Sequence, residues 1–175
     1  MMEICMGTHT IFKTGETRDI LDAVRRIVRT LHESSRAAEK VFGLSGAQLF
    51  VLQKLAEAPG LSLNALAALT HTHQSSVSTV VSRLVERGLV LRTAAVEDAR
   101  RLELRVSAEG RRVVARAPDA AQARLIDGIE RLPAANRRAL ARALDDLTTA
   151  MDLPEGVPGM FFDNPERKGR RASRG

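Results

Sequence analysis

Apolar residues recur at helical spacing over most of this chain. Ile20, Val24, Ile27 and Leu31 step by four, three and four, and Leu21 and Val28 widen the stripe. The spacing predicts a first helix from Thr17 to Val41, with Thr17 as its cap, Asp19 favourable in the first turn and Gly43 beyond its end. A second helix is predicted from Ser45 to Ala58, with Leu49, Leu52 and Leu55 inside and Pro59-Gly60 as the stop. Ser62 caps a short third helix carrying Leu63, Leu66 and Leu69, leucines that read as core rather than ligand contacts.

The next stretch, Gln74 to Arg87, places Val77, Val80, Val81, Leu84 and Val85 on one helical face, opposite Ser75, Ser78, Thr79 and Ser82, and Gly88 stops it. A helix with valines on one side and small hydroxyls on the other can approach a surface closely. In a duplex major groove Gln bonds adenine bidentately, while Ser and Thr meet base edges or phosphates. The periodicity then changes. Leu89 to Arg92 and Leu102 to Val106 have strand character, the second alternating apolar and charged residues. The charged loop Thr93 to Arg101 joins them, and a hairpin with a charged tip directly behind a helix-turn-helix is a wing.

Helical spacing resumes with Leu125, Ile129 and Leu132 before Pro133, and with Leu140, Leu144, Leu147 and Met151 after it. Pro133 suits a first helical position, and Pro118 predicts a kink or break near Ala117. Beyond Leu153 the residues Pro154, Gly156, Pro158, Gly159 and Pro165 stop any helix. The run Arg167-Lys168-Gly169-Arg170-Arg171-Ala172-Ser173-Arg174 reads as a basic, flexible end that either tracks phosphates or is simply solvated. Phe161-Phe162 in that segment could dock back on the body.

Arg83-Leu84, Arg87-Gly88-Leu89-Val90, the wing motif Asp98-Ala99-Arg100 and the exit Ser107-Ala108-Glu109-Gly110-Arg111 together resemble the MarR family of winged helix-turn-helix regulators. The resemblance covers roughly residues 17 to 151, and Asp98 and Gly110 keep the family's usual separation. Ala99 stands where the first wing arginine is usual, leaving Arg100 as the matched minor-groove arginine. The resemblance implies a homodimer in which the first helix and the last two interlock with those of a partner. Periodicity alone fits a monomeric core equally well. The expected fold is mainly α with a small β-hairpin wing, a winged helix-turn-helix plus a helical dimerisation domain. Its expected parts are a flexible arm (1–16), a dimerisation region (17–43 and 108–152), a DNA-binding domain (44–107) and a flexible basic tail (153–175).

Composition changes this picture little. The charge of +6 and pI near 10.6 favour an anionic partner, although an arginine-rich genome gives the same excess. With five Phe and neither Trp nor Tyr, the core must be aliphatic. No apolar run reaches the roughly 20 residues of a membrane span and no signal peptide opens the chain, so a cytoplasmic protein is expected. The single cysteine, Cys5, forms no internal disulfide and reads as a bystander thiol, since the family's peroxide sensors need partner tyrosines.

His71 and His73 lie two apart, and neither HxxxH nor CxxC spacing occurs, so no metal is expected. His73 reads as a cap or flank of the hydroxyl-bearing helix, and His71 as a turn residue where the family commonly has glycine. His32 is either exposed or borders an effector pocket. There is no GxSxG elbow, no glycine-rich phosphate loop and no triad context, so catalysis is not expected and no cofactor is implied.

The expected protein is a homodimeric repressor on an inverted-repeat duplex, released by a small-molecule effector. Gln74, Ser75, Ser76, Ser78 and Thr79 are its groove candidates, and Arg83 and Arg87 lie towards phosphates, unless Arg87 pairs near Glu86 or the wing. Arg100 enters the minor groove, Arg101 meets adjacent phosphate and Asp98 supports the wing. The alternatives are a winged-helix protein-interaction module that never touches DNA, and a thiol- or metal-sensing regulator.

Overall fold

A computed structural model of the chain describes residues 14–94 and 102–163. Its elements run α1 (Thr14–Phe42), α2 (Gly46–Glu57), α3 (Leu63–Leu69), α4 (Gln74–Glu86), β1 (Val90–Ala94), β2 (Leu102–Val106), α5 (Ala108–Arg116), α6 (Ala121–Glu130) and α7 (Ala134–Ala150). The arm's Cys5, the wing tip with Asp98, Arg100 and Arg101, and the basic run from Arg167 lie outside the described residues.

Local chemistry sets most of the boundaries. Ser45 closes a capping box: its hydroxyl accepts from Gln48 N, and the Gln48 amide oxygen accepts from Ser45 N. Ser62 caps α3 through Ala65 N, and Ser107 caps α5 through Gly110 N. Helix α4 ends in a Schellman motif. Leu89 N donates to Leu84 O and Gly88 N to Val85 O, with Gly88 at φ 69°. Because Leu89 is used in closing the helix, the first strand begins one residue later than its sequence predicts and runs on to Ala94. Helix α1 likewise starts three residues before Thr17, and Pro133 sits at the N-cap of α7 rather than inside it.

One aliphatic core joins α2, α3, α4 and the hairpin through Leu44, Leu52, Leu55, Leu66, Val77, Val81, Leu84, Val90 and Leu104, with Phe50 its largest fully buried side chain. The strands pair antiparallel from Val90 opposite Val106 to Ala94 opposite Leu102. Leu61 adds an isolated bridge to Leu104, which the sequence pattern did not announce. Leu104 and Val106 point inward, and Leu102, nearer the tip, stays exposed.

Pro118 does break the chain: α5 stops at Arg116 and α6 starts at Ala121. The buried Gln53 side chain spans that break, donating to Pro118 O and accepting from Ala120 N, while Ser34 Oγ accepts from Ala121 N. These bonds lock α1, α2 and α6 together. Helix α7 is different. None of its residues is buried, and Leu140, Leu144, Leu147 and Met151 stand exposed, as do Ile20, Leu21, Val24, Ile27 and Val28 on α1.

Residues 153–157 are exposed as expected of a tail, but residues 158–163 lie against the body. Met160 enters the core, and Phe162 packs on His32 with ring centroids 4.4 Å apart. Apolar burial and side-chain pairing overcome the helix-breaking composition that made this stretch read as a tail.

Candidate nucleic-acid interface

The helix-turn-helix is formed by α3 and α4. Helix α3 closes with the same Schellman pattern as α4: Thr72 N donates to Ala67 O and His71 N to Ala68 O. His71 occupies the left-handed position at φ 50°, where glycine is the unstrained choice. Thr70, fully within the core, bonds Leu66 O through its hydroxyl at 2.8 Å and so fixes the turn. His73 is the N-cap of α4 but makes no side-chain cap bond, so the first N–H groups of that helix point outward unfilled by any side chain of its cap.

Helix α4 buries Val77, Val80, Val81 and Leu84 completely, and that burial dictates what it shows. Gln74, Ser75 and Thr79 are exposed, and Ser76 and Ser78 are half-buried at the edges of the same surface. Thr79 Oγ1 donates back to Ser75 O at 3.3 Å, which leaves its lone pairs outward. The face is therefore polar, small and uncharged, and it is flanked by arginines.

Those arginines are not equivalent. Arg83 is half-buried and its guanidinium is paired with the Asp163 carboxylate. Arg87 reaches across to the end of α1 and donates to the Gly43 and Phe42 carbonyls, the latter at 3.0 Å, so it caps that helix. Arg92 of β1 donates to Ser82 Oγ at 3.1 Å and ties the wing to the exposed face of α4. Arg92 was absent from the sequence candidates because only the hairpin's pairing register shows which strand residues turn towards α4. Asp163 was missed for the same reason, since 80 residues separate it from Arg83.

A sequence profile of the MarR family matches residues 42–101. A regulatory protein of Thauera aromatica named for the hcr operon is 32% identical over 130 residues, 74% of each chain. An HTH-type transcriptional repressor of Mycobacterium tuberculosis is 30% identical over 122 residues, 70% of this chain and 88% of that one. The chain belongs to the MarR family. It is accordingly a transcriptional regulator. The solved structure of the regulator BldR from Sulfolobus solfataricus superposes with a TM-score of 0.50 over 80% of this chain and 99% of that one; at 21% identity it attests the fold alone.

Two further features of this MarR chain bear on its site. A shallow crevice enclosing only about 10 Å³ lies between α1, α2 and α6, lined by Leu31, Ser34, Ala120, Gln122, Phe161 and Phe162. Gln122 is buried there, and its Oε1 has no hydrogen-bond partner among the described residues. His32 is exposed and packs against Phe162, one of the residues lining the crevice. Among the described residues no group of three His, Cys, Asp or Glu side chains could hold a metal ion, and no helix is long and apolar enough to cross a membrane. His71 instead meets Glu130 at 3.1 Å on the surface.

Proposed function

We propose that this MarR regulator is a homodimeric repressor, working in the cytoplasm, that binds an inverted-repeat duplex and is released by a small-molecule effector. The observation that carries the reading is the exposed face of α4. It offers Gln74, Ser75 and Thr79, with Ser76 and Ser78 at its edges, held rigid by fully buried valines behind them. These side chains enter the major groove. Arg83 and Arg87 flank them towards phosphate; a guanidinium carries five N–H donors, so Arg87 retains some beyond those it gives to α1. Arg100 enters the minor groove from the wing, Arg101 meets the next phosphate and Asp98 supports the hairpin. The chemistry is binding, not catalysis.

Residues 17–43 and 108–152 supply the dimerisation region, and 44–107 the DNA-binding domain. A 17-residue helix with no buried residue, presenting Leu140, Leu144, Leu147 and Met151 to water, is marginal alone and gains its stability by packing. The similarly bare stripe of α1 is the complementary surface in a second copy. Two-fold symmetry then sets two α4 helices one turn of DNA apart, roughly 34 Å. An effector acts by changing that separation, so that the two α4 helices no longer match successive grooves.

The test is selection of genomic fragments by the purified protein at two salt concentrations, followed by sequencing. Recovery of one inverted repeat, lost steeply at higher salt, is the expected result. Retention of fragments sharing no sequence would remove the reading role of α4, and no retention at all would favour a protein-interaction module.

A further inference from the structure

The segment that follows α7 runs back along the edge of α4. Pro158 O accepts the Ser76 hydroxyl at 3.2 Å, and the Asp163 carboxylate pairs with Arg83, seven residues further along the same flank of the helix. Between these contacts Met160 is only 6% exposed and belongs to the core. Phe162 sits at φ 57°, a backbone region rare for a bulky side chain, and it is held there by its packing on His32 and the crevice wall. The segment is thus anchored at four places on three surfaces.

A helix in a major groove has a phosphate backbone running along each flank, and a flanking arginine meets that backbone. Here the flank is already taken by a carboxylate of the same chain. Arg83 cannot satisfy Asp163 and a phosphate in the same geometry: its side chain is 25% exposed and that of Asp163 only 13%, so the pair has little room for a third group. A phosphate arriving at this edge also meets the negative charge of Asp163 at short range, before any counterion can screen it.

We propose that residues 153–163 are an autoinhibitory strap that competes with duplex DNA for Arg83 and the Ser76 edge of α4. The inference rests on the reading of α4 as the DNA-facing helix. In the docked state Arg83 is neutralised and the affinity for duplex is held down. Release of the strap frees one cation per protomer. Its anchors at Met160 and Phe162 lie off the DNA-facing surface, so strap release is governed by the crevice side of the molecule and felt on the groove side.

The probe is a mixed-sequence duplex of about three helical turns, titrated with full-length protein across a salt series. Asp163→Asn is expected to tighten binding roughly tenfold at low salt and to steepen the salt dependence by about one counterion per protomer engaged. Phe162→Ala, which changes no charge and removes the packing on His32, is expected to tighten it in the same direction. Glu155→Gln removes the same charge from the same segment outside the Arg83 pair and controls for net charge. In an Arg83→Ala background the effect of Asp163→Asn is expected to disappear. Hydrogen exchange of residues 153–163 reports docking of the strap independently of any DNA. Increased exchange in Asp163→Asn with unchanged or weaker duplex binding would overturn the proposal, as would an equal gain from Glu155→Gln. If no form of the protein binds duplex, the DNA-binding reading fails and the proposal with it, while the exchange data still show whether the segment is docked.

Discussion

Leu144 is the position where the dimer can be tested most directly. In the single chain it is 48% exposed on a helix that buries nothing, so substituting it leaves the core of α2, α3 and α4 untouched. Fully burying a leucine side chain contributes about 1.5–3 kcal/mol, and half of that remains to be gained here, about 1 kcal/mol per protomer. Two-fold symmetry puts the residue into the interface twice. Leu144→Ala therefore costs the dimer about 2 kcal/mol, or roughly 30-fold in its dissociation constant. Leu144→Asp loses the same contacts and adds the desolvation of two carboxylates, several kcal/mol more, which leaves monomer at micromolar concentration. Sedimentation velocity over a dilution series reads both effects, with circular dichroism to confirm that the helices persist. A Leu144→Asp protein that sediments like the parent at every concentration would refute the assignment of α7 to an interface between copies.

Two further outcomes follow from local geometry and a third from the wing motif. A Cβ on Gly110 would lie 2.3 Å from Leu89 O and 2.7 Å from a Val106 methyl, so Gly110→Ala is expected to destabilise by about 3 kcal/mol in urea unfolding; Gly128→Ala, with open space around it, should not. His71 bears a left-handed strain of about 1–2 kcal/mol, its surface pairing with Glu130 returns little, and glycine costs about 0.5–1 kcal/mol of unfolded-chain entropy, so His71→Gly is expected to raise stability by about 0.5–1 kcal/mol. A lower midpoint for that variant would mean the histidine makes an interaction of higher value than its geometry suggests. Arg100→Ala should weaken operator binding by about 1–3 kcal/mol in a salt-controlled titration if it reads a narrow minor groove, and a change within error removes it from the interface.

The helices were legible because their cause is local. Apolar spacing, Ser45 and Ser62 as caps, Gly88 as stop and Pro118 as break act over a few residues, and the structure places elements at each of them. The family resemblance was legible too, since it rests on short motifs around α4 and the wing. The edges were not: Leu89 looks like strand, yet its N–H is required to close α4.

The sequence by itself determined which helix would bury valines and which of its residues would face outward, because a 3.6-residue period leaves no other arrangement. Only the tertiary structure decided what the flanking arginines hold. Along the chain Arg83 and Arg87 read as phosphate-facing cations and Arg92 carries no signal, but in the fold one is paired with Asp163, one caps α1 and one joins the wing to α4. The same holds for the segment after α7, whose prolines and glycines exclude a helix without excluding a docked strand of chain. Partners separated by 44 or 80 residues meet only once the core has set the relative positions of the elements, and no local pattern encodes that distance.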